Sequence, residues 1–179
     1  PMGICGSGII DALAEMRRVG LLQPSGRFKE GLPGIVSDNK GIGRKFILVP
    51  GSESATGNEI AITLADVRQI QLAKAALYSG IILLMQRAGI TRIDRVVLTG
   101  AFGTSFNWRN AVAIGMLPDM HADVVITENA AGIGAVSALL DYRLRENVHH
   151  LAQNIHTLEL ANDPEFHTVF PSAMIFPEV

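Results

Sequence analysis

Apolar residues recur at Ile9, Ile10, Leu13 and Met16, behind a glycine-rich start and ahead of Gly20. This spacing predicts a helix over residues 7–19, with Ser7 as its cap and Gly20 as its stop. Residues 23–43 carry no periodicity and hold turn chemistry at Pro24-Ser25-Gly26 and Leu32-Pro33-Gly34, so they read as a loop. Two apolar runs, 45–49 and 60–62, read as strands joined by the polar loop 51–58 in a hairpin. Thr63 with Asp66 three residues on is a capping start for the longest helix, whose apolar side is Val67, Ile70, Leu77, Ile81, Leu84 and Ala88 until Gly89 ends it.

A strand at 95–98, a glycine turn, and a helix from Trp108 capped by Asn107 come next. Residues 123–127 supply a further strand, in which Val124, Val125 and Ile126 form the continuous run expected where both faces are covered. Residues 129–145 read as one helix. Residues 156–160 and 173–176 read as terminal strands around a helical turn at 163–166. Alternating helices and apolar strands place the chain in the α/β class, with the hairpin adding an antiparallel element. One domain over 1–179 is expected, with 23–62 as a loop and hairpin excursion.

Composition narrows the function. The formal net charge of -2 and the absence of a basic cluster with interleaved aromatics argue against nucleic acid. The longest apolar stretch, near residues 75–85, is interrupted by Ser79 and Gly80 and reads as a buried helix, so no membrane span is expected. Cys5 is the only cysteine, which excludes an internal disulfide and a multi-cysteine metal site built from this chain, and fits a reducing, cytoplasmic setting.

Two glycine turns are the candidate chemistry. Gly3-Ile4-Cys5-Gly6-Ser7-Gly8 opens a helix, where unsatisfied N–H groups and the helix dipole favour a phosphate or ribose edge. Thr99-Gly100-Ala101-Phe102-Gly103 follows a strand, where small residues let a flat ring approach the main chain. The first turn has the spacing of neither a Walker loop nor the dinucleotide fingerprint. No strand precedes Gly3, so the chain is expected to be a C-terminal piece of a longer protein, the alternative being a short native start after processing. The nucleotide-binding candidates are Gly3, Cys5, Gly6, Ser7, Gly8, Asp11, Gly100, Ala101, Phe102 and Gly103. No catalytic residue and no metal ligand is assigned. Phe102 is weighed as a core residue, Asp11 as a solvated carboxylate, Cys5 as a small packed residue, and Asn129 as an N-cap. His149, His150, His156 and His167 form a metal set only if the fold gathers them.

These turns, together with Gln71-Leu72-Ala73-Lys74-Ala75-Ala76, Ser79-Gly80-Ile81, Ile114-Gly115-Met116-Leu117-Pro118, Ala173-Met174 and Phe176-Pro177, resemble the C-terminal half of the reductive activators of corrinoid proteins. That family lies in the superfamily of actin-like ATPases and acetate and sugar kinases, whose fold is ribonuclease H-like. The resemblance implies a mixed sheet with flanking helices. It implies that Gly6, Ser7 and Gly8, with Asp11 on the ribose, and Gly100 to Gly103 enclose an adenosine. ATP with Mg²⁺ and an iron–sulfur cluster would then belong to the full-length protein, the cluster lying on an N-terminal part outside this chain and driving electron transfer to a corrinoid protein. A homo-oligomer is left open. The alternatives are an ATP-dependent kinase or chaperone-like member of the superfamily, and a non-catalytic interaction module.

Overall fold

The computed structural model describes residues 1–37, 43–100 and 107–178. Helix α1 spans Gly6–Arg18 and turns Ile10, Leu13, Ala14 and Met16 into the core. After it, Gly20 at φ +75° and a short bridge between Leu22 and Phe28 reverse the chain. Strands β1 (Ile35–Ser37), β2 (Arg44–Val49) and β3 (Ile60–Thr63) form an antiparallel sheet in that order. Phe46 pairs with Ile35 on one side and Ile62 on the other, and a bulge lies between Ile47 and Val49. Lys45 of β2 forms an ion pair with Glu59 across the hairpin. The sequence reading missed β1, whose three residues are too few to show a period beside Pro33 and Gly34.

Helix α2, Leu64–Arg87, starts with a full capping box in which Thr63 and Asp66 exchange hydrogen bonds. Its inward face differs from the expected stripe. Val67, Gln71, Lys74, Ala75, Ser79, Gly80 and Leu83 are buried, whereas Leu77 and Leu84 are exposed. Gln71 and Lys74 occupy this face because residues 173–177 cross it and offer backbone carbonyls. Lys74 Nζ donates to the carbonyls of Ala173 (2.5 Å) and Ile175 (2.8 Å) and lies 5.1 Å above the Phe176 ring. Gln71 Nε2 donates to Met174 O at 2.9 Å, and Arg17 of α1 donates to Leu22 O (2.6 Å) and Pro177 O (2.5 Å). Phe176, 1 % exposed, joins the cluster of Ile10, Leu13, Ile62, Val67 and Ile114. This strap joins α1 to α2.

Gly26 shows how tightly the strap region is fitted. Its φ is +79°, and a Cβ there would stand 2.5 Å from Gln71 Oε1. Only glycine meets both conditions.

Strand β4 (Arg95–Thr99) leads toward helix α3 (Trp108–Ala113), which Asn107 caps as expected. Strand β5 (Asp123–Thr127) pairs with β4 in parallel, Val96 beside Val124 and Leu98 beside Ile126. The expectation of burial on both faces is not met within this chain. Val97 is 54 % exposed on the face turned away from Trp108 and Val112, which reach the Val96, Leu98 and Val124 side, and Ile126, on the Leu98 side by register, is still 49 % exposed.

The single helix expected at 129–145 is two, α4 (Ala130–Leu140) and α5 (Tyr142–Gln153). Asp141 takes an extended backbone and caps α5 by accepting from Arg143 N–H, which breaks the helix. The terminal strands expected at 156–160 and 173–176 are also absent. A 3-10 turn, Leu160–Asn162, is followed by helix α6, Phe166–Ala173, packed on α2. Phe166 and Phe170, one turn apart, stack with centroids 5.0 Å apart, and Pro171 inside the helix concealed it in the sequence. Asp163 accepts from Arg87 of α2 at 2.8 Å, which holds its carboxyl below the usual range.

Candidate nucleotide site

The first turn is exposed. Cys5, not Ser7, is the N-cap of α1: Cys5 is extended at φ -84° and ψ 168°, whereas Gly6 and Ser7 are already helical. Its Sγ accepts from the Gly8 N–H at 3.4 Å and lies 3.3 Å from Ser7 Oγ. These bonds, Ser7 first and then Gly8, lower the thiol pKa. Cys5 is therefore an exposed thiol at a helix start rather than a packed small residue. A Cβ on Gly8 would meet Ile4 Cγ1 at 3.1 Å, so close packing favours glycine there. Around Gly3 and Gly6 the backbone is open to solvent.

Asp11, one turn into α1, is not simply solvated. Its Oδ1 accepts from Asn110 Nδ2 of α3 at 2.7 Å. The helices that follow the two glycine turns therefore lie side by side, locked by this bond and by the burial of Ile10, Leu13, Ala111 and Ile114 in one cluster. Asn110 was not a sequence candidate. It lies 99 residues from Asp11, and nothing local marks it apart from its place on a short helix.

The second turn begins at Gly100, whose φ of +86° is accessible chiefly to glycine. Ala101, Phe102 and Gly103 lie outside the described residues. Just before it, Thr99 Oγ1 accepts from the Ala130 N–H at 3.1 Å and fastens the end of β4 to the start of α4. Asn129, at φ 43°, caps α4 through the Gly132 N–H. The Arg109 guanidinium lies 4.7 Å from the centre of the Trp108 ring and places positive charge on the first turn of α3. His149 and His150 lie on exposed α5, and no group of three metal-ligating side chains occurs among the described residues.

Parallel strands that end beside helix starts, β4 at Gly100 and β5 through Glu128 and Asn129 into α4, form an α/β domain of the kind that binds ligands at those ends. A family model described as the C-terminal domain of RACo, the ASKHA domain, matches residues 1–179, and the chain belongs to this family. It is 37% identical to the "Corrinoid activation enzyme RamQ" of Eubacterium limosum, over 93% of this chain and 30% of that protein. A solved structure titled "Reductive activator for corrinoid,iron-sulfur protein" superposes with a TM-score of 0.83 at 33% identity, covering 98% of this chain and 28% of the other. The chain thus spans less than a third of the length of these relatives.

The residues present suit part of a nucleotide and no cluster. The exposed start of α1, the Ser7 hydroxyl and the second carboxylate oxygen of Asp11 are donors and acceptors suited to a ribose edge. A cluster ligated by several cysteines does not fit a chain that holds only Cys5.

Proposed function

We propose that this chain is the nucleotide-holding domain of an ATP-driven reductive activator of a corrinoid protein. The observation that carries this reading is the Asp11–Asn110 bond, which sets the helices that follow the two turns side by side in a chain of the activator family. In this reading the α1 start, Gly3, Cys5, Gly6, Ser7 and Gly8, and the carboxylate of Asp11 meet the ribose, while the Gly100 turn with Ala101, Phe102 and Gly103 faces the base. ATP, when bound, supplies the free energy of its hydrolysis. The phosphate-binding loops, the Mg²⁺-positioning carboxylate and the iron–sulfur cluster belong to polypeptide upstream of Pro1. The partner is a corrinoid protein and the setting is the cytoplasm. No helix among the described residues is long and apolar enough to cross a membrane.

Cys5 supplies a direct test, since its thiol is exposed and its pKa lowered. In the polypeptide extended to the length of the relatives, ATP with Mg²⁺ should slow alkylation of Cys5 with the same concentration dependence that calorimetry gives for binding. The same protein should contain iron and sulfide and accelerate reduction of a corrinoid protein. ATP binding without protection of Cys5 removes the site assignment. ATP binding without iron and sulfide makes the protein a kinase or chaperone-like relative instead.

A further inference from the structure

Residues 1–5 lead into the first glycine turn, and all five are exposed. Among the described residues, one hydrogen bond ties residues 1–4 to the body of the chain: the Ala55 N–H donates to Pro1 O at 2.9 Å. Ala55 lies at the tip of the β2–β3 hairpin, and this tip is braced from within. The Glu53 N–H donates to Pro50 O (3.0 Å), the Thr56 N–H to Ser54 Oγ (3.2 Å) and the Gly57 N–H to Ser54 O (3.3 Å). Gly51 stands against Gly57, so that a Cβ on it would lie 2.6 Å from Gly57 O. The base of the hairpin is fixed as well, because Ile62 of β3, 0 % exposed, shares a cluster with Ile10 and Leu13 of α1. The hairpin therefore meets the first helix at two places, in the core through Ile62 and at its lead-in through Ala55.

We propose that the hairpin tip is a clamp on the first turn, with Ala55 as a positioning residue that acts through its backbone N–H on Pro1 and so holds the start of α1 in place for its ligand. A free lead-in would lose conformational entropy each time a ligand ordered it, and that loss would weaken binding. The clamp orders the lead-in beforehand. The inference rests on reading this helix start as nucleotide-holding, and it gives the excursion of residues 23–62 a task at that site.

Ala55→Pro removes the donor and little else. Ser54 has ψ 141°, which suits a following proline, and the bond from Gly57 to Ser54 makes Ala55 the second residue of a β-turn, a place proline favours. The test uses the polypeptide extended to the length of the relatives. Gly8 and Ile9 donate their N–H groups to Cys5. In the variant, without nucleotide, these two amides should exchange about 3- to 10-fold faster, the worth of one hydrogen bond, with Leu13 in the middle of α1 unchanged. The ATP dissociation constant, read by calorimetry, should rise by about the same factor. Ala55→Ser keeps the N–H and should match the parent in both. Removal of residues 52–57, whose flanks already meet at Gly51 and Gly57, takes away the whole tip, should act as Ala55→Pro does, and decides the matter if that variant does not fold. Unchanged exchange at Gly8 and Ile9, or an equal rise at Leu13, overturns the inference. Faster exchange at Gly8 and Ile9 beside an unchanged ATP dissociation constant overturns it too. A parent that binds no ATP, with Gly8 and Ile9 still responding to Ala55→Pro, upholds the clamp on the turn and removes the nucleotide reading.

Discussion

Replacing Lys74 by methionine sets two sizeable effects against each other, and pH separates them. The Lys74 side chain is 1 % exposed, and burial lowers its pKa from 10.5 to about 8. Between those values the unfolded chain holds a proton that the folded chain has released, so folding is favoured as pH rises through this window. At about 1.4 kcal/mol per pKa unit, the buried charge costs the fold about 3 kcal/mol at pH 7 and less than about 1 kcal/mol at pH 10. Methionine removes that cost but leaves the carbonyls of Ala173 and Ile175 without their donor, at about 1–3 kcal/mol each. At pH 7 the two effects oppose each other, about 3 kcal/mol against about 2–6 kcal/mol, and Lys74→Met should lie within about 3 kcal/mol of the parent. At pH 10 the parent should gain about 2.5 kcal/mol relative to the variant. Urea unfolding followed by the fluorescence of Trp108, the only tryptophan, measures both values, and the remaining lysines cancel in the difference. A stability difference that stays constant from pH 7 to 10, or shrinks, refutes the reasoning.

Gly26→Ala forces a Cβ onto a residue at φ +79° and against the Gln71 amide, and urea unfolding should show a loss of about 1–3 kcal/mol. Thr63→Ala removes half of the capping box of α2. It should lower stability by about 1 kcal/mol and leave Cys5 reactivity unchanged. Asp163 has a lowered pKa through its bond to Arg87, so it contributes stability above its unfolded value of 3.8 that is lost as pH falls through the folded value. Asp163→Asn should therefore flatten the acid limb of the pH–stability curve, and an unchanged limb counts against the bond.

Helix ends were legible because their signals are local. Thr63 with Asp66, Asn107, Gly20 and Gly89 each act within one turn of where they stand, and each does what its type dictates. The helix break at Asp141 shows the limit of such signals, since an N-cap residue inside an apolar pattern is visible only once the backbone is seen to extend there. The inward face of α2 was misread for another reason. Gln71 and Lys74 are buried because their partners are carbonyls about a hundred residues further on, and no window of sequence contains both ends of such a bond. The candidate site divides in the same way. The two turns were visible as composition, but the bond from Asp11 to Asn110 that joins their helices depends on packing.

The bond from Arg17 to Pro177 spans 160 residues, and those from Gln71 and Lys74 to the strap span 103 and 99. During synthesis, α1 and α2 leave the ribosome long before the carbonyls that neutralise their inward polar groups exist. Until then the Lys74 ammonium has neither of its two carbonyl partners, while the Arg17 guanidinium and the Gln71 amide each lack one of two, and the face of α2 cannot close. Loop closure over such a span adds little further entropy beyond that of a shorter one, so the delay comes from order of arrival rather than from distance. Completion of the first helix's surroundings is therefore timed by the arrival of residues 173–177.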